Sequence, residues 1–145
     1  MVAEMEVVDI DALLNVHLRA AVLLARAAIP HLAPGGRMVF IGSSLADRTV
    51  STGVTVYAAA KSARIALTRG LARELGLRNI TVNLVQPGAT DTEMNPADGA
   101  LAKALRDMTP RARYGKPKTW RRLWPSWRHL PRGRSPGQLS QWTVA

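Results

Sequence analysis

Tyr57-Ala58-Ala59-Ala60-Lys61 decides how this chain is read, because ordered signals flank it on both sides. Upstream, Gly42-Ser43-Ser44 ends the apolar run Met38-Val39-Phe40-Ile41; downstream stands Asn83-Leu84-Val85-Gln86-Pro87-Gly88. Positions i and i+4 of a helix are neighbours on one face, so Tyr57 and Lys61 sit side by side. A free phenol has a pKa near ~10, too high for efficient proton transfer at neutral pH. An ammonium beside it favours the phenolate and lowers that pKa. A phenol tuned in this way gives a proton to a carbonyl taking up hydride, or takes one from an alcohol losing it. A nearby serine hydroxyl would hold the same substrate oxygen. Two serines compete for that role. Ser43 fits the strand register of the preceding run and is preferred, while Ser44 lies closer to Tyr57 in sequence.

Around these signals the chain alternates helix and strand. Asp9-Ile10-Asp11 offers a cap to a helical pattern over residues 9–32, closed by Pro34 and Gly35-Gly36, with Pro30 loosening its last turn. Leu14, Leu18, Ala21, Ala25, Ala28 and Leu32 form one apolar stripe, and Val16, Ala20, Leu23 and Ala27 a second, which predicts cover on both sides. Arg37–Ile41 reads as a short buried strand, apolar without alternation, as in a parallel sheet clad by helices. A loop over residues 45–55 leads to a helix over 56–75, rich in alanine and stopped by Gly76. Residues 80–85, Ile-Thr-Val-Asn-Leu-Val, make a second strand. Helix–strand–helix–strand is the repeating unit of a doubly wound α/β sheet, and ligands of such sheets bind outside the carboxyl ends of the strands. Ser43 and Pro87-Gly88 both follow such ends.

The ordered set of strand–Ser, helix–Tyr/Lys and strand–Pro-Gly resembles the catalytic half of the short-chain dehydrogenase/reductase family, over about residues 8–117. The resemblance implies a parallel-sheet, Rossmann-like fold and an NAD(P)-dependent oxidoreductase that reduces a small carbonyl or oxidises an alcohol. It assigns catalysis to Ser43, Tyr57 and Lys61. It gives NAD or NADP as cofactor: Lys61 reaches the nicotinamide ribose beside Tyr57, Pro87, Gly88 and Thr90 border the ring, and the Thr92 hydroxyl meets the amide or phosphates. The family's relay asparagine falls in register on His17, with Asn15 two residues earlier. The family often pairs subunits through such helices, so the resemblance implies a homo-oligomer joined by residues 9–32 and 56–75. No T-G-x-x-x-G-x-G loop and no N-N-A-G segment occur in the chain. Those glycines let backbone amides approach a pyrophosphate. A fold lacking the N-terminal dinucleotide-binding half is therefore expected, with unpaired strand edges and uncovered apolar helix faces, and the chain as given is expected to be inactive, or a truncated remnant, or a gene-model artefact.

Composition narrows the alternatives. There is no cysteine, and His17, His31 and His129 have no ligand spacing, so no metal site is expected. The first residues are acidic rather than signal-like. The apolar stretch of residues 20–25 lies between Arg19 and Arg26, far short of the ~20 residues of a membrane span. A cytoplasmic protein is the expectation. The net charge of +10 would suggest a nucleic-acid partner, but its distribution argues otherwise. Residues 1–110 carry 11 Lys/Arg against 10 Asp/Glu, whereas residues 111–145 carry nine Lys/Arg, no acid and all four tryptophans. The chain thus divides into a near-neutral catalytic region, 1–117, and a basic, Trp-rich tail, 118–145. The tail reads as a shifted-frame translation. Arg113-Tyr114-Gly115-Lys116-Pro117 is similar to the family's R-x-G-x-P. In the neighbouring frame the residues beyond it re-read as an alanine-rich helix and a V-T-G…V-D-G-G strand. On that reading the tail is disordered, and its charge is a by-product of codons rather than a nucleic-acid surface.

Overall fold

The structure, a computed structural model, describes residues 1–49, 51–107, 109, 112–118 and the backbone of 141–144. Its elements are α1 (Val7–Leu14), α2 (Ala20–Ala28), β1 (Arg37–Ile41), α3 (Thr55–Leu75), β2 (Thr81–Pro87), α4 (Ala102–Asp107) and β3 (Gln141–Val144). The sheet order is β1-β2-β3, and β1 and β2 run parallel, Arg37 opposite Thr81 through Ile41 opposite Val85. The chain forms two compact units, the first holding Met1–Gln86 and the second beginning at Pro87. Apart from Lys118 and the backbone of β3, the tail expected over 118–145 lies outside the described residues.

The first unit is an α/β layer built on apolar side chains. Ala21 and Ala25 of α2, Leu71, Ala72 and Leu75 of α3, and Phe40, Ile80, Val82 and Leu84 of the strand segments make one buried cluster. Small residues on α2 bring that helix close, and the larger leucines of α3 fill the space above β2. β2 runs two residues beyond the expected end, to Pro87, which has no N–H to continue a ladder. β1 keeps its expected bounds but not its expected burial. It lies at the edge of the sheet, only Phe40 is buried, and Ile41 is 44% exposed.

The helix expected over 9–32 is present as one continuous helical run from Val7 to His31, in four segments of differing pitch. α1 starts at Val7, which puts Asp9 inside the first turn, where a carboxylate suits the helix N-terminus. Asn15–Arg19 then widens into a π-helical turn before α2 resumes, and Ile29–His31 tightens into a 3-10 turn at Pro30. The first apolar stripe packs through Ala21 and Ala25. The second does not: Val16 and Leu23 are exposed, as is their neighbour Leu24. α3 begins at Thr55 and ends at Leu75, but Gly76 is not its left-handed stop. Gly76–Arg78 continue as a 3-10 turn, and Asn79 takes the left-handed conformation at φ 55°. Arg78 holds this corner in place, donating through Nη1 to the Ile29 carbonyl at 3.0 Å and through Nη2 to the Leu32 carbonyl at 2.5 Å.

Candidate active site

Tyr57 and Lys61 stand one helical turn apart on α3, an uninterrupted helix that fixes their spacing. The Lys61 ammonium lies 5.5 Å from the centre of the Tyr57 ring. Lys61 is buried, and its Nζ donates to the Ile41 carbonyl at 3.4 Å, at the carboxyl end of β1. Burial foremost, and then the positive charge of Arg64, pull its pKa down to about 8. Among the described residues the ion pairs are Met1 with Glu4 and Lys103 with Asp107. Lys61 is therefore a buried cation with a carbonyl, not a carboxylate, as its acceptor, and its other N–H bonds remain for a ligand.

Ser43 follows β1 directly. It is buried, and its hydroxyl oxygen accepts from the Leu45 N–H at 3.2 Å, capping the 3-10 turn Ser44–Ala46. The capping uses a lone pair and leaves the Ser43 hydroxyl hydrogen to donate. Ser44 is half-buried inside that turn. The turn is bound to α3 by the Ser62 hydroxyl, which donates to the Ala46 carbonyl at 2.6 Å. It is bound to β2 by Gln86, whose side-chain amide donates to the Asp47 carboxylate. Gln86 is wholly buried, and its side-chain oxygen has no hydrogen-bond partner among the described residues. Gly42 allows this packing: a Cβ there would come within 3.2 Å of Leu84 Cδ1 and 3.3 Å of Gln86 Cγ.

His17, which the resemblance put in register with the relay asparagine, lies in the wide turn and sets its ring edge-on to Tyr57, with centres 5.0 Å apart and planes at 86°. Burial, then the charges of Lys61 and Arg64, hold its imidazole below the usual range, which keeps it neutral at neutral pH. A second neighbour, Arg64, was not assigned from sequence. One turn beyond Lys61, it donates from Nε to the His17 carbonyl at 2.7 Å and from Nη1 to the Ile41 carbonyl. The signal that would have found it is spacing. Residues 57, 61 and 64 fall at i, i+4 and i+7, one stripe of one helix.

The remaining expected residues, Pro87, Gly88, Thr90 and Thr92, belong to the second unit. Pro87 closes β2 and Gly88 follows it. Thr90 donates to the Gly88 carbonyl at 3.1 Å. Thr92 is exposed, and its hydroxyl accepts from the Asn95 N–H at 3.2 Å, which leaves its own hydrogen to donate. Among the described residues no group of His, Asp or Glu could hold a metal ion, and no helix is long and apolar enough to cross a membrane.

Residues 1–123 match the family profile described as enoyl-(acyl carrier protein) reductase. The chain is 40% identical over 115 residues to the cyclic-di-GMP-binding biofilm dispersal mediator protein of Escherichia coli K12, covering 79% of this chain and 48% of that one. It is 46% identical over 89 residues to the short-chain dehydrogenase/reductase FrzI of a Cladobotryum species, covering 61% and 34%. A short-chain dehydrogenase from Burkholderia cenocepacia J2315, solved in complex with NADP, superimposes with a TM-score of 0.88 at 46% identity, over 98% of this chain and 57% of that one. The chain thus spans about half the length of the relatives it matches, or less. Its parallel strands, its Tyr–Lys helix and these likenesses place it in one group: the chain belongs to the short-chain dehydrogenase/reductase family.

Proposed function

We propose that the chain is the catalytic part of an NAD(P)-dependent oxidoreductase that interconverts a small carbonyl compound and its alcohol. The observation that carries this reading is the Tyr57–Lys61 pair, a phenol and a buried ammonium with no carboxylate partner, beside the carboxyl end of β1. NAD or NADP, when bound, supplies or accepts the hydride. The free N–H bonds of Lys61 suit the ribose hydroxyls of such a dinucleotide next to Tyr57. Pro87, Gly88 and Thr90 are proposed to border its ring, and the free hydroxyl hydrogen of Thr92 suits its amide or phosphate oxygens. In reduction, Ser43 donates a hydrogen bond to the substrate oxygen and holds it. Tyr57 then gives its phenolic proton to that oxygen as the carbon takes up hydride. Lys61 keeps positive charge beside the ring from which the proton leaves.

The test is substitution within the longest reading frame that contains this chain. Tyr57→Phe should lower carbonyl reduction by about 10²-fold or more, while the dissociation constant for the dinucleotide stays within about tenfold, because most of that ligand is held elsewhere. Undiminished turnover in this variant would sink the assignment. Ser43→Ala and Ser44→Ala, made separately, decide which hydroxyl holds the substrate, and the larger loss is expected at Ser43.

A second copy of the chain is also proposed to cover the outer face of the first helices, where Val16 is 62% and Leu24 70% exposed. Leu24→Lys should then shift sedimentation toward the monomer. An unchanged sedimentation coefficient would remove that proposal.

A further inference from the structure

Arg64 is the best-tethered side chain near the site, yet the proton transfer described above does not use it. Its two donors reach two different pieces of backbone: the His17 carbonyl in the wide turn between α1 and α2, and the Ile41 carbonyl at the end of β1. The second carbonyl also accepts from Lys61. One oxygen therefore receives both cations, and the two sit one turn apart on the same stripe of α3 as Tyr57. Such an arrangement is costly unless it serves something. Two like charges at this spacing repel, both are partly withdrawn from water, and a carbonyl dipole compensates less than a carboxylate would. The charged and titratable groups facing Lys61 are Tyr57 and Arg64 on its own helix and His17 on the wide turn. The end of β1 presents only a carbonyl and the Ser43 hydroxyl, and Asp47 in the turn beyond is bound to Gln86.

We infer that Arg64 is a positioning residue of this site: by bridging the wide turn to the end of β1 and sharing the Ile41 carbonyl with Lys61, it fixes the ammonium beside Tyr57 and places a second positive charge behind it. The inference rests on the oxidoreductase reading for its purpose, though not for its geometry. The wide turn supplies half of the bridge, since a π turn departs from the i→i−4 ladder and changes which carbonyls are free to accept. The second charge loosens the Lys61 proton. Burial is the larger cause of its fall to about 8, and Arg64 is the next. At that value Lys61 still holds its proton, and so its charge, at neutral pH.

The experiment measures Lys61 directly and needs no turnover. Competitive acetylation of the purified chain across a pH series, read by mass spectrometry of the Lys61 peptide, gives its titration midpoint. The unmodified chain should titrate near 8. Arg64→Gln, which keeps an amide donor and removes the charge, should raise the midpoint by about half a unit or more. Arg64→Lys, which keeps the charge, should leave it within about 0.3 units. A midpoint unmoved in the glutamine variant, or moved equally in both, would mean that Arg64 is only a structural tie, and would overturn the inference. Should the glutamine variant not fold, Arg64→Met, which keeps the aliphatic stem and removes the charge, should raise the midpoint in the same way, and an unmoved midpoint there overturns the inference. Its failure is distinct from failure of the catalytic reading. An inactive Tyr57→Phe with an unmoved midpoint in Arg64→Gln leaves the reading and removes Arg64, whereas an active Tyr57→Phe removes the reading whatever Lys61 does.

Discussion

The two long helical stretches of the first unit solve the same packing problem in opposite ways. α3 is one unbroken helix of 21 residues that buries Ala58, Ala60, Lys61, Thr68, Leu71, Ala72 and Leu75. The stretch from Val7 to Ala28 runs on through a widened π turn and buries only Ala21 and Ala25, leaving valines and leucines in contact with water. Continuity in α3 fixes the spacing of Tyr57, Lys61 and Arg64, which chemistry requires to be constant. Widening in the other stretch brings a ring and a carbonyl of His17 against that stripe. A rigid helix carries the reacting groups, and a distorted one is shaped around them.

The sharpest way to break this contrast is through the core under α3. Leu84 is wholly buried, and Leu84→Ala should lower the unfolding free energy by about 2–5 kcal/mol, through lost transfer energy and the cavity left behind. A urea titration measures it, and a loss below about 1 kcal/mol would mean the layer is loosely packed. Next in size is the corner that ties the widened stretch to the rest. Arg78→Ala removes one donor from each of two carbonyls, leaving Ile29 with only the Leu32 N–H, and should cost about 1–3 kcal/mol by the same measurement.

A smaller effect separates the two stretches by pH. Lys61 titrates near 8 in the folded chain and near 10.5 when unfolded. Between those values the unfolded state binds more protons, so stability should rise with pH across that window. Below about 8 the cost of burying the ammonium is fully present. Lys61→Met should lack this rise, and parallel curves for the two proteins from pH 8 to 10.5 would show that Lys61 is not buried as described. The smallest effect is expected on the exposed face of α2. Leu24→Ser should change the stability of the monomer by no more than about 0.5 kcal/mol, measured at dilution. A larger loss would move Leu24 into the core and erase the contrast.

What could be read from sequence follows the same division. The limits of β1 were legible because Gly35-Gly36 and Gly42 bracket an apolar run, and α3 was legible to within a residue because its alanines and its periodicity agree. The Tyr57–Lys61 pairing follows from helix geometry alone. The wide turn at Asn15–Arg19 was not legible, because the segment contains neither glycine nor proline and nothing in it marks a change of pitch. One partner of the His17 carbonyl is Arg64, 47 residues away. The edge position of β1 was expected, but its exposure was hidden: a continuous apolar run looks the same whether or not both faces are covered. Gln86 looked like an ordinary residue before Pro-Gly, and only the fold shows that its amide joins β2 to the turn after Ser43.

Gly42 and Gln86 carry a consequence for the history of the site. The closest approaches of a side chain added at position 42 would be to Leu84 and Gln86, and Gln86 is committed to Asp47 on one side while its oxygen has no partner among the described residues on the other. Neither position can drift alone without disturbing the serine turn. Across related sequences a residue larger than glycine at 42 should arrive together with a shorter one at 86, so that this corner is inherited as a unit. Residues of the outer helical face, such as Leu24, are free of that constraint.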